Sequence, residues 1–172
     1  MQVLVVYESM FGSTLQIAEA IAVGLSTRAE ASVVKAAKAT TSFHDYDLIV
    51  VGGPTHAWGM SWPSTRRSIP LRAEKPNSGL VMEPGANTEP GVREWLKDVR
   101  GAHGKAAAFD TRINSPVLFT GRASKGIARR LSRLGLSPVV PPESFLVDKQ
   151  GHLLAGELER ARTWGEGLAT AL

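Results

Sequence analysis

Residues Gln2-Val3-Leu4-Val5-Val6-Tyr7 form an apolar run with no polar alternation. A strand of that pattern is covered on both faces, the environment of a parallel sheet with helices on each side. A short loop follows, and then Ile17, Ala18, Ile21, Ala22 and Leu25 recur at helical spacing, with Gly24 near the end. The alternation repeats along the chain. "EASVVKA" is expected as a second strand, "YDLIVVGG" (46–53) as a third, "KAAAFD" (105–110) as a fourth, and "SPVVPPESFLV" as a fifth interrupted by two prolines. Helices are expected over "PGVREWLKDV", with Pro90 in the first turn and Gly101 after the last. Another is expected over "SKGIARRLSRLGL", with Gly135 as its C-cap, and a last one over "GELERARTWGEGLATAL". Alternating strands and helices define an α/β chain with right-handed crossovers, and 172 residues suit one such domain, 1–172.

Composition mainly removes chemistries. Without cysteine there are no disulfides, thiolate nucleophiles or Cys-based metal sites. His44, His56, His103 and His152 lack metal-ligand spacing, no metal is expected, and no G-x-S-x-G elbow is present. No apolar run approaches the roughly 18 residues of a membrane span. The first strand begins with no basic leader ahead of it, so a cytoplasmic location is expected. A net charge of +4 admits anionic ligands but does not mark a nucleic-acid binder, and none is expected. Arg129, Arg130 and Arg133 read as a solvated helix face or as a docking patch for an acidic partner.

The loop between the first strand and helix, Ser9-Met10-Phe11-Gly12-Ser13-Thr14, carries hydroxyls and a glycine and no charge. In a parallel sheet the ligand crevice lies beyond the carboxyl ends of the strands, where this loop sits. The free N–H groups and dipole of a helix start favour an anion there. Ser9, Ser13 and Thr14 supply donors, and Gly12 lets the backbone wrap closely. With no Lys or Arg, a bound phosphate keeps its charge, which suits a monophosphate held and never transferred. A plain Ser/Thr N-cap accounts for the same residues. The dinucleotide fingerprint is absent, since Glu8 and Met10 occupy glycine positions, and "GRASKGI" has Ile127 where a P-loop needs lysine.

Val5-Val6-Tyr7-x-Ser9-x-x-Gly12-x-Thr14, with Ala18 and Ile21 following, resembles the flavodoxin signature, and "DYDLIVVGGPTHAWG" resembles that family's third strand and next loop. The resemblance implies a three-layer doubly wound fold, a five-stranded parallel sheet of order 2-1-3-4-5 with helices on both faces. It also implies non-covalent FMN, its phosphate in the loop Ser9–Thr14 (Met10 and Phe11 included) and its ring between the second and third loops. Phe11 stands where many flavodoxins carry a hydroxyl; quinone-reducing relatives also have an aromatic in this loop. In the second loop, Pro54-Thr55-His56-Ala57-Trp58-Gly59, Trp58 is expected against the ring, and Gly59 allows a peptide rotation toward the flavin N5. The third loop lacks the aromatic-and-glycine pattern of the family. There Asp110, Thr111 and Arg112 are expected at the pyrimidine edge, with Arg112 facing flavin, substrate or solvent, and Phe119 in place of the missing aromatic.

From Pro54 to Thr88 the sequence shows no secure element and holds five of the ten prolines, so this loop is expected to border the flavin as a lid or substrate wall. The expected function is electron transfer through FMN, toward a redox partner protein or a small quinone-like acceptor. An FMN-dependent oxidoreductase of the quinone reductase or protoporphyrinogen oxidase type, and a flavin-free binding module, are the alternatives.

Overall fold

The structure is a computed structural model that describes residues 1–56, 58–68, 81–100 and 102–171. In β1 (Gln2–Tyr7) the side chains of Val3 and Val5 enter one apolar cluster, and those of Leu4 and Val6 another. β3 (Leu48–His56) repeats the division, with Leu48 and Val50 on the first side and Ile49 and Val51 on the second. A strand alternates its side chains between faces, so unbroken apolar runs require a covering layer on each. α1 (Ser13–Leu25) and the final helix α6 (Glu157–Ala171) cover the first face. α3 (Val92–Asp98) and α5 (Ala123–Arg133) cover the second.

β1 lies between β2 (Glu30–Lys35) and β3, all parallel, with Val5 opposite both Val33 and Val50. β3 pairs in parallel with β5 (Gly104–Ile113), Val50 opposite Ala107. The outer position beyond β5 is filled by two pieces, β6 (Leu136–Pro138) against Gly104–Ala106 and β7 (Glu143–Val147) against Phe109–Ile113. Pro141 and Pro142 stand between them, where the missing N–H groups break the ladder. Leaving aside a two-residue antiparallel strand after β3 and counting β6 and β7 as one interrupted strand, the parallel sheet has the expected order 2-1-3-4-5. α1 and α6 pack closely because Gly24 and Gly165 face the partner's main chain, where a Cβ would strike Arg162 and Ile21 carbonyl oxygens. Behind them Phe109, Phe145 and Trp164 meet edge to face, with centroids 6.2 to 6.4 Å apart.

The structure departs from the sequence reading in the connections. β3 runs on to His56 and folds back as a two-residue strand, β4 (Gly59–Met60), before the short helix α2 (Pro63–Arg67). The span 54–88 therefore contains secondary structure; its residues 57 and 69–80, and with them much of the expected lid, lie outside the described residues. Pro90 precedes α3 rather than opening it, because Gly91 is the N-cap. The helix ends at Asp98, with Val99 as its C-cap, ahead of Gly101, which is outside the described residues. A one-turn helix α4 (Val117–Thr120) separates β5 from α5. No described helix is long and apolar enough to cross a membrane.

Candidate functional site

Gly12 is the N-cap of α1 and adopts φ +91°, a left-handed conformation that side chains disfavour. The N-cap is glycine rather than Ser or Thr, it makes no side-chain cap bond, and the first turn holds no acid, so the Ser/Thr N-cap reading does not hold. The first N–H groups of a helix have no partner within it. The loop thus presents backbone donors and the positive end of a 13-residue helix dipole. Its hydroxyls are used in the fold. Ser9 Oγ accepts from Gly12 N at 3.1 Å and keeps its own proton to donate. Ser13 donates to the Gly151 carbonyl, tying the loop to the connection before α6. Thr14 and Thr111 share a buried hydroxyl–hydroxyl bond of 2.7 Å, which fastens the first loop to β5.

The other side of the loop is covered by residues 82–86. Met10 is buried with Ala86, against Phe11 and Met82, and Glu83 N donates to Met10 O at 2.8 Å. The Glu83 carboxylate stands beside Gly12, 3.9 Å from where a Cβ would be. Lys35 holds this segment to β2 through Glu89 at 2.6 Å and the Pro84 carbonyl at 2.7 Å. Burial, and then the charges of Glu83, Glu19 and Glu89, push the Tyr7 phenol above its ordinary value.

The second and third loops lean on each other. Pro54 is opposite Thr111 in the sheet, and Thr55 Oγ1 accepts from Ala123 N at 2.9 Å. His56 pairs with Gly59 across a hairpin whose turn includes Trp58. Trp58 has φ +68°, a left-handed conformation unusual for an aromatic residue. It bridges Gly121, φ +70°, where a Cβ would collide with the Trp58 backbone. The Trp58 indole N–H reaches Leu118 O at 3.4 Å, yet the residue stays 67% exposed, beside Leu118 at 82% and Phe119 at 70%. Ala57 lies outside the described residues. Asp110, fully buried, accepts from Ser124 N at 2.7 Å and so caps α5, while its Oδ1 has no partner among the described residues. Arg112 braces its own loop, donating to Ser115 O at 2.8 Å. The structure therefore joins Thr14, Pro54 and Thr111 at one point, and Trp58 to Gly121 at another.

A second group beneath the first loop carried no signal in the sequence, since burial of a single glutamate is invisible there. Glu8, buried, accepts from Val92 N at 2.8 Å and from the Ser61 hydroxyl. Arg66, also buried, donates to Ser61 at 2.9 Å and to Glu94 at 2.8 Å, with Glu8 3.8 Å away. Arg93 donates to the carbonyls of Ser61 and Met60 and lies 3.7 Å from the Trp62 ring centroid. Burial pushes the Glu8 carboxyl above its ordinary value, against the bonds from Ser61 and Val92 and the Arg66 charge. Among the described residues no group of three or more His, Cys, Asp or Glu could hold a metal ion.

A doubly wound sheet of order 2-1-3-4-5, with helices on both faces, is the flavodoxin-like fold. Residues 4–63 match the family model described as a flavodoxin domain. Over its whole length the chain is similar to an archaeal flavodoxin, at 20% identity and a TM-score of 0.68, covering 99% of this chain and 97% of that one. It is similar to oxidised flavodoxin 1 from Bacillus cereus at 18% identity and TM-score 0.68, covering 100% and 99%. Rubredoxin oxygen:oxidoreductase from Desulfovibrio gigas shows 19% identity and TM-score 0.65, with 99% of this chain on 35% of that one. At such identities the likeness is one of fold. No curated protein sequence matches the chain.

Proposed function

We propose that this chain binds FMN non-covalently and transfers electrons through it. The observation that carries the reading is the start of α1: a left-handed glycine, no side-chain cap and no acid in the first turn. A phosphate there would be held by backbone N–H groups, with Ser9 as the hydroxyl still able to donate. The fit extends to the second and third loops. Trp58 offers an exposed aromatic face at the expected ring position, and the unpartnered Asp110 Oδ1 leaves acceptor capacity nearby. When bound, FMN supplies one- and two-electron redox chemistry. The chain itself holds the phosphate, orients the ring between Trp58 and the third loop, and excludes water from one ring face. The exposed Trp58, Leu118 and Phe119 support exchange with a partner protein across that edge.

Titrating the apoprotein with FMN and riboflavin tests the reading. FMN is expected to bind at least about tenfold more tightly, a difference of about 1.4 kcal/mol assigned to the phosphate. Gly12→Val should remove that preference while the protein stays folded, because a β-branched residue resists the left-handed conformation. Equal affinity for the two flavins in the wild type overturns phosphate recognition by this loop.

A further inference from the structure

A hollow of about 590 Å³, open to solvent, lies between the first loop and the connection leading into α6, with Phe11, Ser13, Gln16, Leu153, Leu158 and Glu159 in its lining; Gln16, Leu158 and Glu159 are exposed at its mouth. Ligand sites span roughly 300–1,000 Å³, so it is large enough for a nucleoside. It shares Phe11 and Ser13 with the anion-binding loop but lies on the α1–α6 side of the sheet. Trp58 and β4 stand toward α5, on the opposite side. An occupant of the cavity would meet the phosphate end of a flavin nucleotide and leave the ring end untouched. The described lining has no lysine or arginine, which does not suit a separate free anion.

We propose, resting on the flavin reading above, that this cavity is a subsite for the adenosine half of FAD, so that the chain accepts the dinucleotide as well as FMN. Each part of the lining has a counterpart in adenosine. Phe11, Leu153 and Leu158 provide apolar and aromatic surface for a purine. The Gln16 amide offers both donors and an acceptor to the purine edge. Glu159 offers a carboxylate to ribose hydroxyls, the pairing that acidic residues make in dinucleotide folds. The pyrophosphate stays at the start of α1, where backbone donors converge. The bond from Ser13 to Gly151 fixes the far wall of the cavity against the loop. Phe11, where many flavodoxins have a hydroxyl residue, thus gains a role in contacting a base.

Apoprotein titrated in parallel with FMN, FAD and riboflavin decides the matter, read by quenching of flavin fluorescence and by calorimetry. FAD is expected to bind within about threefold of FMN or more tightly. Ala155→Trp, which fills the cavity, should weaken FAD about tenfold and leave FMN within about twofold. Leu158→Glu serves as a second variant on an exposed helical position, so that a folding defect in the first does not decide the result. FAD more than about tenfold weaker than FMN in the wild type overturns the subsite while leaving the FMN reading intact. Equal losses of both flavins in the variants overturn it too, as does an FAD affinity that neither variant moves. Binding of neither flavin removes this proposal together with the FMN reading.

Discussion

Glu83 brings a carboxylate next to Gly12, on the loop proposed to receive a phosphate. The nearby cation, Lys35, is engaged with Glu89 and Pro84, so it does not offset that charge. Two unit charges about 6 Å apart at an effective dielectric near 20 interact by up to roughly 3 kcal/mol. Solvent reduces this at a partly exposed site. Glu83→Gln is therefore expected to tighten FMN by about tenfold at low salt and by less at high salt. Riboflavin affinity should stay where it was, since the neutral ligand has no phosphate to repel. If FMN binds equally well to both proteins at low ionic strength, the Glu83 side chain turns away when the phosphate arrives. The same paired titration separates this charge effect from any loosening of the Met10–Ala86 contact, which would move both ligands together.

The elements are joined by bonds of a different kind, and the one at Glu8 is sensitive to pH. Glu8 lies at the end of β1 and bonds to Val92 at the start of α3 and to Ser61 after β4. Burial raises its carboxyl above the ordinary value of 4.5. A carboxyl raised in the folded state contributes stability that is complete below the unfolded value and is lost as pH rises through the folded one. The melting temperature of Glu8→Gln relative to wild type should therefore improve as the pH is raised through and above the ordinary carboxyl value of 4.5. A constant difference across that range would mean that Glu8 titrates alike in both states. This network also marks where the sequence stops being legible. β1, β3 and α1 were readable because continuous apolar runs and a helical stripe are local properties. The break at Pro141–Pro142 was readable because proline removes its own N–H. The β4 turn-back, the one-turn α4 and the Glu8–Arg66 pair depend on contacts between distant segments. No window of sequence contains both halves of such a contact. In the site the same division holds. The helix start was legible, whereas the use of Ser13 and Thr14 as ties to Gly151 and Thr111 was not.

Across the whole molecule the charge is unevenly placed. Glu19, Glu83 and Glu89 lie near Tyr7 at the phosphate end of the proposed site. At the ring end, Arg112 and Arg122 donate to carbonyl and hydroxyl oxygens, and neither forms an ion pair with a described carboxylate. Just beyond them Lys125, Arg129 and Arg133 form an exposed i, i+4, i+8 row on α5. Like charges at that spacing repel. Lys125, in the first turn, opposes the helix dipole, whereas Arg133, in the last turn, is favoured by it. These cations favour added electrons, and the buried Asp110 carboxylate beside them opposes the effect in part. One unit charge at ~6 Å and a dielectric of about 20 is worth up to roughly 3 kcal/mol. For a one-electron step that is on the order of 100 mV, since tenfold in equilibrium is about 59 mV. The second reduction potential of the FMN-loaded protein is expected to be less negative than that of a similar site without these cations, which suits delivery of two electrons to a quinone-like acceptor. Potentiometric titration of wild type, Arg112→Lys and Arg112→Gln tests this, because Lys keeps the charge while both variants lose the brace to Ser115. A lower second potential in the Gln variant alone assigns the effect to charge. Equal shifts in both assign it to the loop, and three equal potentials place Arg112 outside the electrostatics of the site.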